Sequence, residues 1–360
     1  MKRKKSKKHR ILQIIRILTQ LLFFSLFFYL LLGTHFPGED YIKRVEIFFH
    51  FDPLIALTTL IAGRTILLSF GFAAFTMLFT LIFGRMACGW VCPMGSVQQF
   101  FSFVFKKTKL LKPKKPTGHQ TVWKYYILIF ILAGTLFSLN LVGLLDPLSL
   151  LFRSFAVSIL PALSHVFSNT IAVIYQIGLY SIGDSLVQFI ETVDINSVFI
   201  QSFFLGILFT GIILLNITRE RFWCRYLCPL GAFLGILARW NIPKLHIDME
   251  KCIKCNLCSI QCQTQAYPYP QEEWKSAECI YCFTCSAVCQ TGAIRFPVSP
   301  KPEKIEVINL DRRKVLLGSF LGILAIPFFR IGPSRNRSSE KLIRPPGSLP
   351  LRTETSRPTV

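Results

Sequence analysis

All twelve cysteines of this 360-residue chain fall into four compact groups, and none stands alone. Cys252, Cys255, Cys258 and Cys262 follow C-x2-C-x2-C-x3-C, and Cys279, Cys282, Cys285 and Cys289 repeat it. In such a run three thiolates of one tight loop ligate a [4Fe-4S] cubane, and the fourth reaches across to a second cluster. The spacing therefore predicts one cluster on Cys252, Cys255, Cys258 and Cys289, and another on Cys279, Cys282, Cys285 and Cys262. Two zinc sites are the competing chemistry, but a doubled x3 step to a fourth cysteine is a cluster pattern. Gln263 and Gln290 stand where proline usually follows the fourth cysteine, so each position keeps an amide that could hydrogen bond near a sulfur and shift its potential. Two clusters with no nucleophile or acid pair beside them imply electron relay.

The other cysteines lie in CGWVCPMG (88–95) and CRYLCPLG (224–231), each at the end of an apolar run. On a helix, Cys88 and Cys92, like Cys224 and Cys228, would share a face. Pro93 and Pro229 then break the chain, and Gly95 and Gly231 permit a tight turn. Three readings stay open: small apolar residues at a helix end, a redox dithiol, or four thiolates pooled on a third Fe–S cluster or a metal.

The elements that must position these residues are membrane helices. Hydrophobic residues make up 52% of the chain, with 34 Phe, which is too apolar for a soluble domain of this size. The net charge of +22 sits beside apolar runs, which favours a membrane surface over nucleic acid. Five runs near the twenty-residue spanning length, 11–33, 65–84, 123–143, 201–218 and 314–330, predict transmembrane helices, and 167–190 reads as an interfacial element. Basic loops at 85–124 and 219–239 put the N-terminus, both CxxxCP motifs and the ferredoxin segment in the cytoplasm. A helix, an Asp-Pro-Leu turn (51–54, 145–148), a span and a CxxxCP motif occur twice, the second time with an insertion between 150 and 195. That is a parallel two-helix repeat, with the two cysteine pairs at one depth.

The expected fold is thus membrane α-helical, about five transmembrane helices, with an inserted α+β two-[4Fe-4S] ferredoxin-like domain. Its expected parts are a basic tail (1–10), a first repeat (11–95), a basic loop (96–122), a second repeat (123–240), the ferredoxin domain (245–298), a last helix (309–330) and a tail (331–360).

CGWVCPMG, CRYLCPLG, the two DPL turns and the double cysteine run together resemble the NapH-type polytopic membrane ferredoxin family, related to MauN and to the C-terminal region of NosR, over residues 11–297. The resemblance implies a multi-pass protein of the bacterial inner membrane in anaerobic respiration. It implies a quinol dehydrogenase-like component linking the quinone pool to a periplasmic or membrane redox partner, such as a NapG-type ferredoxin. The alternatives are a metal-reducing maturation factor of CcoG type, whose Ig-like domain is not seen here, and a NosR-like regulator. The segment 309–329, with Arg312-Arg313 ahead of an apolar run, resembles a twin-arginine export signal, and LIRPPGSLP (342–350) resembles the segment just after such a signal in NapG-type proteins. An ordinary last helix with a basic tail is the alternative.

For quinone chemistry the candidates are His50, Asp52 and Arg64 in the first unit and Asp146 and Arg153 in the second, since quinol oxidation releases protons. Each Asp-Pro reads equally as a turn, Arg64 as a side chain snorkelling to headgroups, and Phe48, Phe49 and Phe51 as lipid anchors.

Overall fold

The computed structural model describes residues 7–33, 48–63, 70–110, 121–137, 141–176, 202–271, 274–298 and 310–330. Arg64, residues 177–190 of the expected interfacial element, and the tail from 331 lie outside them.

The first apolar run forms α1 (Lys7–Gly33). Asp52 starts α2 (Pro53–Gly63), and α3 (Phe70–Phe83) leads into the short α4 (Met86–Trp90), which carries Cys88. Pro93 opens α5 (Pro93–Lys107). Then come α6 (Trp123–Leu136), α7 (Val142–Leu145) and α8 (Pro147–Arg153), which continues through a π-helical stretch, Ser154–Ile159, into α9 (Leu160–Gln176). A second π turn, Trp223–Leu227, comes after α10 (Ser202–Leu214) and precedes α11 (Pro229–Leu237).

Among the described residues two helices suit a membrane crossing by length and composition, Ile11–Leu32 and Pro147–Ile171. The second is a helix that none of the five expected spans covered. Pro161 lacks an amide, and the preceding turns widen into the π stretch instead of ending the helix. Conversely, α6 stops at Leu136, short of the expected 143. Large apolar side chains such as Phe75, Leu78, Leu136, Phe203 and Phe204 face outward, while Leu31, Leu54, Met94, Ile131 and Leu151 fill the core. That outward apolar surface is what lipid would cover.

The two halves exchange helices. α5, which begins after Cys92, packs on α8, which begins after Asp146; α11, which begins after Cys228, packs on α2, which begins after Asp52.

The ferredoxin segment is a small lobe. β1 (His246–Ile247) pairs antiparallel with β2 (Ile294–Arg295), His246 opposite Arg295. Between them lie α12 (Leu257–Ile260) and α13 (Thr284–Val288). α14 (Arg312–Arg330) then packs along α6.

A buried ion cluster fastens the lobe to the helices. Glu278 accepts from Lys124 Nζ of α6 through both oxygens, 2.6 Å at Oε1 and 2.5 Å at Oε2, and from Arg85 Nη1 at 3.2 Å. Lys124 is fully buried and Arg85 and Glu278 nearly so. Removing one partner from such a cluster strands a buried charge, at a cost of about 3–5 kcal/mol. Glu278→Gln is therefore expected to lower the thermal unfolding midpoint of the detergent-solubilised protein far more than Glu220→Gln, which breaks only the exposed pair with Lys106.

Candidate iron–sulfur and dithiol sites

Both ferredoxin loops have the same backbone. Lys254 and Asn256 flank Cys255 with positive φ (54° and 56°), as Tyr281 and Phe283 flank Cys282 (49° and 55°). Non-glycine residues adopt this conformation only when the surroundings require it. The repeated twist wraps each loop around a hollow. One hollow is lined by Cys252, Cys255, Cys258 and Cys289, the other by Cys262, Cys279, Cys282 and Cys285. Each collects three cysteines from one loop and one from the other. Among the described residues no three such side chains converge tightly enough to hold a single metal ion. Thiols spread around a hollow suit a polynuclear cluster better than a tetrahedral zinc.

The two hollows differ in surroundings. Cys255 is exposed, and Ile253 and Ile260 stand out beside it, whereas Cys285 is buried. Burial pushes the Cys262, Cys279 and Cys285 thiols up, so that without iron they hold their protons. At Cys289 burial acts the same way, but the Thr291 hydroxyl and backbone amides outweigh it and bring the thiol below its ordinary value. The sulfur of Cys262 accepts from Ala266 N at 3.3 Å.

Each CxxxC segment closes with a wide turn, after the short α4 in the first motif and in place of an α-helix in the second. The amides of Cys92 and Cys228 reach back five residues, to Ala87 O (3.1 Å) and Trp223 O (2.9 Å). Proline explains the break: it forces the residue before it into extended backbone and starts a helix well. Cys92 (ψ 118°) and Cys228 (ψ 111°) are accordingly the extended N-caps of α5 and α11. Cys88, Cys92, Cys224 and Cys228 all lie within electrostatic reach of one another. Sequence reasoning left the pooling of the two pairs open; the chain brings all four together.

The charges around these thiols were not anticipated. Arg85 and Arg221 stand three residues ahead of Cys88 and Cys224, and each crosses to the other motif. A Cβ added at Gly231 would lie 2.8 Å from Arg85 Nη2, and one at Gly95 would lie 3.9 Å from Arg221 Nη1. Both arginines are almost fully buried, as is Arg16, which with Arg221 shares Gln99 Oε1 as acceptor. Arg16, Arg85, Arg221 and Lys124, with Arg225 inside the second motif itself, thus bring five buried cations to this region, against Glu278. The signal was in the sequence: R-x-x-C-x-x-x-C-P-x-G occurs in both units.

The hollow holding Cys282 is clamped onto the first CxxxCP motif. Arg16 donates to Gly89 O (3.2 Å) and Cys282 O (3.4 Å), and Trp90 Nε1 donates to Tyr281 O (3.1 Å). The backbones meet at Gly89, where an added Cβ would lie 2.6 Å from Ile280 O.

Of the quinone candidates, Asp52 and Asp146 come together, fully buried, with their carboxyl groups within hydrogen-bonding reach of each other. His50 is half-buried and Arg153 is exposed at the end of α8. Phe48 and Phe49 pack inward on Phe27 and Phe152, because helices occupy the face expected for lipid; Phe51 is exposed beside Phe72.

The 4Fe-4S binding domain family matches residues 65–112 and 201–247, which contain the two CxxxCP motifs, and a second family of that description matches 245–267. An uncharacterized protein of Methanocaldococcus jannaschii is 27% identical over 71% of this chain and 75% of its own length. The methylamine utilization ferredoxin-type protein MauN of Methylorubrum extorquens is 24% identical, and the ferredoxin-type protein NapH of Escherichia coli 23%, each over 59% of both chains. The regulatory protein NosR of Stutzerimonas stutzeri is 26% identical over 53% of this chain but only 22% of its own length. The chain thus spans under two thirds of MauN and NapH. No solved structure matches it.

Gly95→Ala places a Cβ 2.8 Å from the backbone oxygen of Cys88, which cannot yield as a side-chain end can. Iron bound per chain is expected to fall in this variant and to be retained better in Gly231→Ala, where the neighbour is the Arg85 guanidinium.

Proposed function

We propose that this homologue of the NapH- and MauN-type ferredoxin proteins is a multi-pass membrane electron carrier. It holds two [4Fe-4S] clusters in the lobe and a third at the four CxxxCP thiols. The ferredoxin-type, iron–sulfur character rests on the family matches and the relatives. The finer reading rests on one observation: the clamp that holds the Cys282 loop against Gly89 of the first CxxxCP motif. Electrons can then pass between the lobe and the helix core without leaving the protein.

The buried charges favour a cluster over a dithiol. A disulfide or a pair of neutral thiols would leave Arg16, Arg85, Arg221 and Lys124 largely uncompensated in a region of low dielectric. Four thiolates on a cluster supply net negative charge there. The bound clusters accept and donate one electron at a time; the chain's own residues hold them, keep water out and set their potentials through N–H···S bonds such as Gly231 N to Cys228 Sγ (3.2 Å).

The exposed Cys252–Cys289 hollow is the exchange point with a redox partner, and the Cys262–Cys285 hollow is the intermediate step. At the membrane end the donor is a quinol, so the protein works as a quinol dehydrogenase-like component. The N-terminus and lobe lie in the cytoplasm, in accord with the basic loops. A maturation factor that reduces a metal would need an exposed ion-binding site near one hollow, and no observation favours one.

Anaerobically purified protein is expected to hold about twelve iron atoms per chain, falling to about eight in Cys88→Ser/Cys224→Ser, as three four-iron cubanes require. Eight in both proteins would leave the pairs as dithiols and sink the third cluster.

A further inference from the structure

Asp52 and Asp146 occupy matching places in the two halves. Each ends a turn, precedes a proline, and caps its helix with one oxygen. Asp52 Oδ1 accepts from Leu54 N (2.8 Å) and Ile55 N (3.3 Å); Asp146 Oδ2 accepts from Leu148 N (3.0 Å) and Ser149 N (3.0 Å). Capping by aspartate explains those contacts completely. It does not explain the other two oxygens. Asp52 Oδ2 and Asp146 Oδ1 are buried and receive no hydrogen bond from any protein donor, and the two carboxyl groups lie within hydrogen-bonding reach of each other. Two carboxyl groups can share a hydrogen bond only when one carries a proton, and two bare carboxylates cannot stay in contact away from water.

We propose that Asp52 and Asp146 form a one-proton site between the two halves of the helix core, and that it takes up a second proton when the neighbouring four-cysteine centre is reduced. The step rests on the electron-carrier reading above. The pair starts with one proton and one negative charge. An electron leaving a quinol for the centre adds one negative charge there; the quinol's O–H bond breaks, and a new O–H bond forms on the pair. The pair becomes neutral, so the total charge of the core is unchanged. Proximity supports the coupling: Cys92 lies within electrostatic reach of Asp146, and the helices these two residues open, α5 and α8, pack together. The ionisable groups on the elements packed here are few. Cys92 opens α5 and Lys106 and Lys107 close it, Cys228 opens α11, Arg153 closes α8, and α6 carries Lys124, Tyr125 and Tyr126 in its first turn; α2, α7 and α10 have none.

Infrared difference spectroscopy of the full-length protein in nanodiscs, poised electrochemically, tests this. Asparagine keeps a capping oxygen, so Asp52→Asn and Asp146→Asn preserve the helix starts. The oxidised wild type is expected to show one protonated-carboxyl C=O band that shifts in D2O and that either substitution removes. Reduction of the centre is expected to add a second such carboxyl in the wild type and none in the double variant. No protonated-carboxyl band, a band that survives both substitutions, or a band unchanged on reduction would overturn the proposal. An iron count that leaves the four cysteines empty sinks the carrier reading instead, and it is read separately from the resting band.

Discussion

Glu278 lies between Arg85 and Lys124 with almost no access to water, and much of the molecule depends on that constraint. A carboxylate adjoining Cys279 in the lobe must reach a lysine on α6 and an arginine beside Cys88, because none of the three can be buried alone. Their meeting fixes where the lobe sits. It also brings Ala277 O onto Arg85 Nη1 (2.9 Å) and sets the Cys279–Cys285 loop on the first CxxxCP turn. An ion cluster of this kind contributes little net stability relative to apolar packing, since desolvation offsets most of the attraction. Its consequence is register: the lobe fits in one position only.

The same reasoning applies between the halves. Arg85 reaches Gly231 and Arg221 reaches Gly95, so each motif is completed by a guanidinium from the other. The helices after the cysteines and those after the aspartates are exchanged in the same sense. Arg221 finds its acceptor on Gln99 of the first half and Arg85 finds Glu278 of the lobe, and the four thiols come together only when both halves do.

How far this was legible in the sequence depends on how local the physics is. The cysteine grouping was fully readable, since a cubane takes three ligands from one short loop and so writes its spacing into the chain. The breaks at Pro93 and Pro229 were readable because proline constrains its immediate neighbours. The wide turns at Cys92 and Cys228 were not, since nothing in four-residue spacing separates a π turn from an α turn. The arginines recur at equal offsets, yet their partners lie far along the chain, and offset alone does not name them. The helix from Pro147 was missed because Ser154, Ser158 and Pro161 weaken its apolar pattern, while in the folded chain Ser154 Oγ simply donates to Leu150 O (2.7 Å). Asp52 and Asp146 were legible as matching turns, but their contact arises only when the halves pair.

The two sets of charged groups then have separate tasks. The arginines near the thiols, Arg16, Arg85 and Arg221, are held by bonds to backbone and side-chain oxygens and keep their charge, so they offer a constant positive field. A constant field can offset the resting charge of a four-thiolate centre, but it cannot track a change in that charge. In the proposed one-proton state the aspartate pair is a buried group near the centre whose own charge can change by one unit. On the proposed reading, permanent compensation comes from Arg85 and Arg221 crossing between the halves, and transient compensation from Asp52 and Asp146 meeting between them. Both devices depend on the same pairing of the two CxxxCP-bearing halves, which on that reading gives the pairing a role in redox chemistry as well as in packing.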